Sequence, residues 1–512
     1  MKKQLLFIVF STLSLVVNAS VKIGGIYYDL NSSTQTAEVA YSIYSGDVVI
    51  PSSVNYDGID YAVTGIASNA FINSPQLTSL TIPKSVTTIN YKRDFFRNSE
   101  RLASIVVEEG NPNYDSRENC NALIETASNK LLHGAINAFI PNSVSTIGVG
   151  AFSCCAGLTH LIIPNSVTSI EDGAFSECHE LTSVYIGTGL ENIGNFIFSD
   201  CENLKTIEIN SNALVSKDYN NVGPNAGGFG SRVEEIILGD NVTSIGNYAF
   251  QGCAMTSVRM SDNLKRIGDH AFEQCPYLTS IEFSNNLEYI GQWAFSGCIW
   301  LPSVTIPESV TCIKSVAFAV CNSLTKVVIN SNEVVAREHE QYYTLMSCFG
   351  SQVKEFVLGE DVKKIAYQAF ARINKLTTVV ILGNVTCVDD SAFYQCTGLK
   401  DVYYYAEQVP ETCKDVFVES NYKSATLHVP ANAVEAYRRA EQWKDFGNIV
   451  ALNGDDPKPT GVESVSNNGK TAERYYTIDG KQIPAPRRGL NMIKMSDGTT
   501  RKGVVKEQTR GL

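Results

Sequence analysis

Basic charge, histidine, tryptophan and long apolar runs are all scarce in this chain. Lys and Arg total 41 against 53 Asp and Glu, a formal net charge of -12 over 512 residues. Nucleic-acid binders carry a basic footprint, and the chain as a whole has none. No stretch approaches ~18 consecutive apolar residues, so no transmembrane segment is expected. The six histidines are His133, His160, His179, His270, His339 and His428. None forms the H-E-x-x-H pattern, and no G-x-S-x-G, Walker or Rossmann fingerprint is present. Glu338-His339-Glu340 is the one tight titratable cluster, and without a partner motif it reads as a solvated charge run. Asp389-Asp390 and Asp455-Asp456 lack calcium-loop spacing. The expectation is a non-enzymatic protein with no catalytic residue, no metal and no cofactor.

The first segment reads as an address. Lys2 and Lys3 precede an apolar stretch from Leu5 to Val17, and Val17-Asn18-Ala19 places small residues before an expected cleavage at Ser20. Such a run is too short to span a bilayer comfortably and reads as a secretory signal peptide over residues 1–19. The first cysteine is Cys120, so no thiol lies beside that cleavage site to carry a lipid.

The body is a repeat. Cys155, Leu158, Leu161, Ile163, Pro164, Val167, Ile170, Ala174, Phe175 and Cys178 outline a unit of 23 residues. Phe recurs at 71, 96, 152, 175, 198, 250, 272, 295, 318, 370, 393 and 417, mostly at gaps of 22 to 25. Two gaps of 52 residues hold elongated units that match each other, Ile209-Asn210-Ser211-Asn212 answering Ile329-Asn330-Ser331-Asn332 and Phe229-Gly230-Ser231 answering Phe349-Gly350-Ser351. A third insertion runs from Asn111-Pro112-Asn113-Tyr114 through Leu132. A period of 20–29 residues with L-xx-L-x-L spacing is the mark of a leucine-rich repeat. One such unit cannot cover its own apolar face, so units stack and bury each other. The expected fold is mainly β: a right-handed leucine-rich repeat solenoid with capping elements. Residues 20–66 would form the N-terminal β cap, 67–429 the solenoid, 430–452 a C-terminal helical cap carrying Val434, Tyr437 and Trp443, and 453–461 a linker.

The unit resembles the leucine-rich repeat of the BspA-like family of bacterial surface proteins. The likeness extends to Gly25-Ile26-Tyr27-Tyr28-Asp29 and Tyr44 through Pro51 at one end, and to Val429-Pro430, Ala436-Tyr437 and Trp443-Lys444-Asp445-Phe446 at the other. The resemblance implies an exported, cell-surface or secreted protein with a role in adhesion or protein recognition. Its implied partners are host or bacterial surface proteins, extracellular-matrix proteins or glycans, with no nucleic acid. Two other roles stay open, a glycan-binding component of polysaccharide capture and a passive surface scaffold. Residues 462–512 carry ten Lys/Arg against five Asp/Glu, and Tyr475 to Ile478 and Gly489 to Met495 read as strands about an Asp479-Gly480 turn. This module resembles the C-terminal sorting domains of the type IX export route. A small β module without a sorting role is the alternative, and the extension from Glu507 departs from the sorting pattern.

Eight of the 14 cysteines stand three residues after a marker Phe: Cys155, Cys178, Cys201, Cys253, Cys275, Cys298, Cys321 and Cys396. One per turn in one register makes a row of parallel side chains, which does not converge as a tetrahedral zinc site must. A buried, mainly reduced ladder is expected. Cys120, Cys154, Cys312, Cys348, Cys387 and Cys413 fall outside the register, and their pairing is open.

Each strand presents one outward residue between its last two apolar positions. Along the stack these are Thr81, Val106, Phe139, Ile162, Tyr185, Glu208, Ile237, Arg259, Glu282, Thr305, Val328, Val357, Val380 and Tyr403. At ~4.7 Å per strand that face is roughly 65 Å long. Aromatic and Arg groups are enriched at binding hot spots, so Tyr185, Glu208, Arg259, Glu282 and Tyr403 are the candidate ligand-binding residues. β-branched and aromatic residues also simply favour strands.

Overall fold

A computed structural model describes residues 20–92, 95–155, 157–219, 233–337, 344–383, 385–454 and 456–457, and the strands 472–476, 482–483, 489–495 and 500–505. The expected signal peptide, Glu338-His339-Glu340, Phe229-Gly230-Ser231 and the Asp479-Gly480 turn lie outside them. Among the described residues no helix is long and apolar enough to cross a membrane. The chain divides into two compact units, one ending at Phe139 and one beginning at Ile140.

The first unit opens with antiparallel strands Val21–Ile23, Ile26–Asn31 and Thr36–Val39, followed by the hairpin Ser53–Tyr56 and Ile59–Ile66. Strands Ser45–Val49, Gln76–Ile82 and Ser104–Val107 then pair in parallel, which places Val49, Thr81 and Val106 in one row. The insertion after Asn111 is a hairpin, Ala122–Glu125 with Lys130–Gly134. Phe139, expected on a strand, lies in irregular backbone, its N–H held by the Cys120 carbonyl at 3.2 Å. The core joins Tyr44, Phe71, Phe95 and Phe96, with the His133 ring 4.4 Å from that of Phe96.

The second unit is a β-solenoid of turns about 23 residues long. Within a turn, alternation buries Val184 and Ile186 and leaves Tyr185 half-buried on the opposite face, as a pleated strand requires. Parallel pairing runs through His160–Ile163, Ser183–Ile186, Thr206–Ile209, Glu235–Leu238, Ser257–Arg259 and Ser280–Glu282. A second parallel sheet continues from Ser303–Ile306 to Thr426–Val429 and ends on Asn448–Ala451. The ladder breaks between Glu282 and Ser303 for a chemical reason. Thr256 and Thr279 each donate a backbone N–H to the preceding turn, at 2.9 and 3.0 Å. Pro302 occupies the next such position and has no N–H to give.

The V-xx-I half of each turn adds a two-residue strand, Thr146–Ile147 pairing with Ser169–Ile170 and that with Asn192–Ile193. In the elongated units a short helix takes its place, Asn212–Val215 and Asn332–Val335. The matched sequences make matched bonds. Ser211 and Ser331 cap these helices, and Asn212 and Asn332 each accept a backbone N–H at 2.9 Å, from Thr243 and Lys363. Gly239 follows the next strand because a Cβ there would lie 1.7 Å from Asn210 Oδ1.

The marker Phe rings stack inside the turns. Phe250, Phe272, Phe295 and Phe318 follow one another at 5.1 to 5.2 Å, and Phe349 of the second elongated unit joins at 5.2 Å. Two residues either side of a marker Phe the backbone turns left-handed, for example Tyr248 (φ 61°), His270 (φ 57°), Gln274 (φ 56°) and Trp293 (φ 58°). That conformation costs about 1–2 kcal/mol per non-glycine residue. Its return is a bond to the next turn: His270 N–H donates to Gln292 at 2.8 Å and Gln274 N–H to Ser296 at 2.7 Å.

None of the 14 cysteines is joined in a disulfide. The ladder thiols have a task that spacing alone does not reveal. Cys178, Cys201, Cys275, Cys321 and Cys396 each donate Sγ–H to the carbonyl of the marker Phe one turn earlier, at 3.1 Å, and Cys298 does so at 3.5 Å. The Phe152, Phe250, Phe295 and Phe370 carbonyls already accept a backbone N–H three residues on, and the thiol supplies a second, weak donor without polar bulk. Burial pushes the Cys275 and Cys396 thiols up to about 12.

The second unit closes on an aromatic cluster. Tyr437, from the helix Val434–Tyr437, packs against Tyr404 and Trp443 at 5.8 and 5.6 Å, and Trp443 in turn meets Phe417 and Phe446 at 5.4 and 5.9 Å. Beyond it, Ala472–Tyr476, Gln482–Ile483, Gly489–Met495 and Thr500–Val505 form an antiparallel four-stranded sheet.

Candidate functional site

Register places four of the five candidate residues on six consecutive strands. Ile162, Tyr185, Glu208, Ile237, Arg259 and Glu282 pair one to the next along a single row. Tyr403 sits in the other sheet, in a row from Thr305 through Val328, Val357 and Val380 that passes on to His428 and Val450.

The five residues differ in what they offer. Glu282 is exposed, and Tyr185 and Glu208 are half-buried. Arg259 is only 7% exposed. Burial pulls the guanidinium down, and the fields of Glu235, Glu282 and Glu208 oppose it. The cluster of one cation and three carboxylates presents net negative charge, and Arg259 supports the face from within it. Glu208 also accepts from the Asn210 side chain at 3.2 Å. Tyr403 is stacked on His428 at 4.2 Å, and His428 Nε2 lies 3.1 Å from Asp401. Burial raises the Tyr403 phenol, and Asp401 adds to the effect. The segment after the last strand returns to this end: Tyr405 donates its hydroxyl to the Pro457 carbonyl at 2.6 Å. Tyr403 is therefore separate from the Tyr185–Glu282 row, in a local stack of its own.

One feature of this region was not anticipated from the row. A groove of about 700 Å³ runs along the lip from which the strands start, lined by Glu202, Asn203, Lys205, Val233, Glu234, Ala254 and Tyr277. Its signal was present in the spacing. The unit from Phe250 to Phe272 is 22 residues long, and Cys253-Ala254-Met255 stands where neighbours have Cys275-Pro276-Tyr277-Leu278. Met255 fills the buried Leu position, so the lip loses one outward residue and recedes at Ala254. Among the described residues no group of three His, Cys, Asp or Glu side chains could hold a metal ion.

A family model described as BspA type leucine rich repeat region (6 copies) matches residues 52–127, 133–220, 229–342 and 344–438, well over half of the chain. Among solved structures, a leucine rich cell surface protein from Faecalibacterium prausnitzii is 25% identical, with 71% of this chain and 95% of that one covered and a TM-score of 0.31. A leucine-rich repeat protein from Bacteroides ovatus is 22% identical over 85% of this chain and all of that one, with a TM-score of 0.33. One from Eubacterium ventriosum is 24% identical over 58% and 67%, also at 0.33. No curated protein matches the chain.

Proposed function

The chain belongs to the BspA-type leucine-rich repeat family, and from that premise we propose that it is an exported surface protein that recognises other proteins, in adhesion, through the outward row from Tyr185 to Glu282. The observation that carries this reading is the continuous register of that row over five parallel strands, with half-buried Tyr185 and exposed Glu282 on a rigid base. Rigid, large-area faces bearing an aromatic anchor are the economical way to bind a protein, because little side-chain entropy is lost on docking. The negative cluster around Arg259 suits a partner with basic side chains. Residues 1–19 support export, and residues 462–512 a sorting role at the cell surface. Catalysis has no part in this reading.

The test is a titration of the full chain against a panel of purified extracellular-matrix proteins at two salt concentrations. Saturable, salt-weakened binding that falls at least tenfold in a Tyr185→Ala, Glu282→Lys variant is the expected result. Binding of unchanged affinity in that variant would move the site off the row.

A further inference from the structure

We propose that the groove at the receding lip is a second binding site, and that it takes a neutral oligosaccharide. The groove crosses several turns, from Glu202 and Asn203 through Val233, Glu234 and Ala254 to Tyr277. Its length along the stack suits a chain-like ligand rather than a compact one, and its volume falls in the range of small-ligand clefts.

The two sides of the groove differ in chemistry. On one side the Asn203 amide is fixed by donating to the His179 carbonyl at 2.7 Å, and the exposed Glu202 carboxylate stands beside it. Lys205 and Glu234 form an exposed ion pair at 3.0 Å. The held Asn203 amide and the charged groups around it offer donors and acceptors, as hydroxyl-rich ligands require. On the other side Tyr277 is 55% exposed, and Trp300 is 59% exposed. Tyr277 and Trp300 occupy the same position of successive turns, two residues after ladder cysteines Cys275 and Cys298. They extend an aromatic lip one turn beyond the groove. No core explains two adjacent exposed rings, since Leu278 and Leu301 beside them fill the interior. Large exposed apolar groups of this kind mark interaction sites. The negative faces of such rings attract the polarised C–H face of a sugar.

Charge narrows the ligand class. Glu202, Lys205 and Glu234 leave the groove with a net charge of -1, in a protein of net -12. Phosphorylated and uronic-acid ligands are repelled, whereas neutral sugars are not. The site lies on the lip of the turns and does not use Tyr185 or Glu282, so it stands or falls independently of the protein-recognition reading.

The experiment is calorimetric titration of the full chain with maltohexaose, cellohexaose, xylohexaose and mannohexaose, paired with tryptophan fluorescence. Of the three tryptophans, Trp300 is exposed, Trp293 half-buried and Trp443 buried, so a fluorescence change lost in Trp300→Phe reports contact at the lip. The expected result is saturable binding of at least one hexasaccharide, weakened at least tenfold in Trp300→Ala and in Tyr277→Ala. Tyr185→Ala should leave it unchanged. Circular dichroism and Tm of these surface variants should match the parent. Failure of all four sugars to bind at ~millimolar concentration, binding indifferent to Trp300 and Tyr277, or binding of oligolysine in their stead would each overturn the proposal.

Discussion

The interior and the outward face of the second unit are built on opposite rules. Inside, each turn repeats its neighbour: a Phe ring on a Phe ring at about 5.2 Å, and a thiol on the previous Phe carbonyl. Outside, Tyr185, Glu208, Ile237, Arg259 and Glu282 occupy one register with four different chemistries. Repetition is free to persist inside because each turn meets the same neighbour, which makes stability a sum of nearest-neighbour terms. The face need not match the turn beside it residue for residue, and it varies. Departures from period inside a solenoid therefore deserve the same scrutiny as residue identity outside it. The 22-residue unit makes a groove, Pro302 breaks a sheet, and the elongated units exchange a strand for a helix.

The sharpest way to break the contrast is to remove an interior ring. Phe295→Ala should lose about 3–5 kcal/mol of stability, seen as a fall in the denaturant midpoint. A loss under about 1 kcal/mol would mean that the stack relaxes around the gap. Arg259 tests the boundary between the two regions, because it lies on the face yet is buried among Glu235, Glu282 and Glu208. Arg259→Leu should cost about 2–3 kcal/mol, since it leaves three carboxylates without their cation. The cost should shrink as pH falls and the carboxylates protonate.

The first unit gives a pH-dependent comparison. His133 Nδ1 is sealed from solvent without a hydrogen-bond partner, and burial holds the imidazole down to about 3. The unfolded chain takes up that proton near pH 6.5. Between these values the unfolded state binds more protons, so stability is full above about pH 6.5 and declines as pH falls toward 3. Hydrogen exchange of residues 20–139 should show weaker protection at pH 4.5 than at pH 7 after correction for intrinsic rates. His133→Phe should remove much of that difference.

Thiol chemistry separates interior from surface without mutation. Cys413 is exposed and Cys154, Cys312 and Cys387 are half-buried, whereas the ladder thiols are buried. Native alkylation read by mass spectrometry should reach Cys413 first and leave Cys275 and Cys396 unmodified until unfolding. The smallest stability effect belongs to the open face. Glu282→Lys sets a second cation opposite Arg259 and should cost about 0.2–1 kcal/mol, while altering affinity for any partner of the row.

Much of the site's register was legible in the chain, and its energetics were not. The pattern L-xx-[LVI]-x-I identifies Tyr185, Glu208, Arg259 and Glu282 as successive residues of one row, and the parallel pairing places them there. The same pattern put Phe139 on a strand, where its N–H donates instead to the Cys120 carbonyl and the backbone is irregular. It also stopped at Tyr403: His428 lies in the solenoid range without a place in the row, and Val450 lies in 430–452, where only Val434–Tyr437 is helical and Asn448–Ala451 is a strand.

The sequence by itself determined what depends on period and alternation: the parallel stack, the inward Phe and Cys, the outward row and the equivalence of the two elongated units. A fixed spacing repeats a local geometry, and that geometry is the fold. Only the tertiary structure decided what depends on distance between turns. Three carboxylates converge on Arg259 from separate strands, the ladder thiols find a carbonyl 25 or 26 residues earlier, and the missing residue beside Ala254 opens a groove. Spacing gives each residue its place along the chain, but burial, field and empty space arise only when neighbouring turns are brought together.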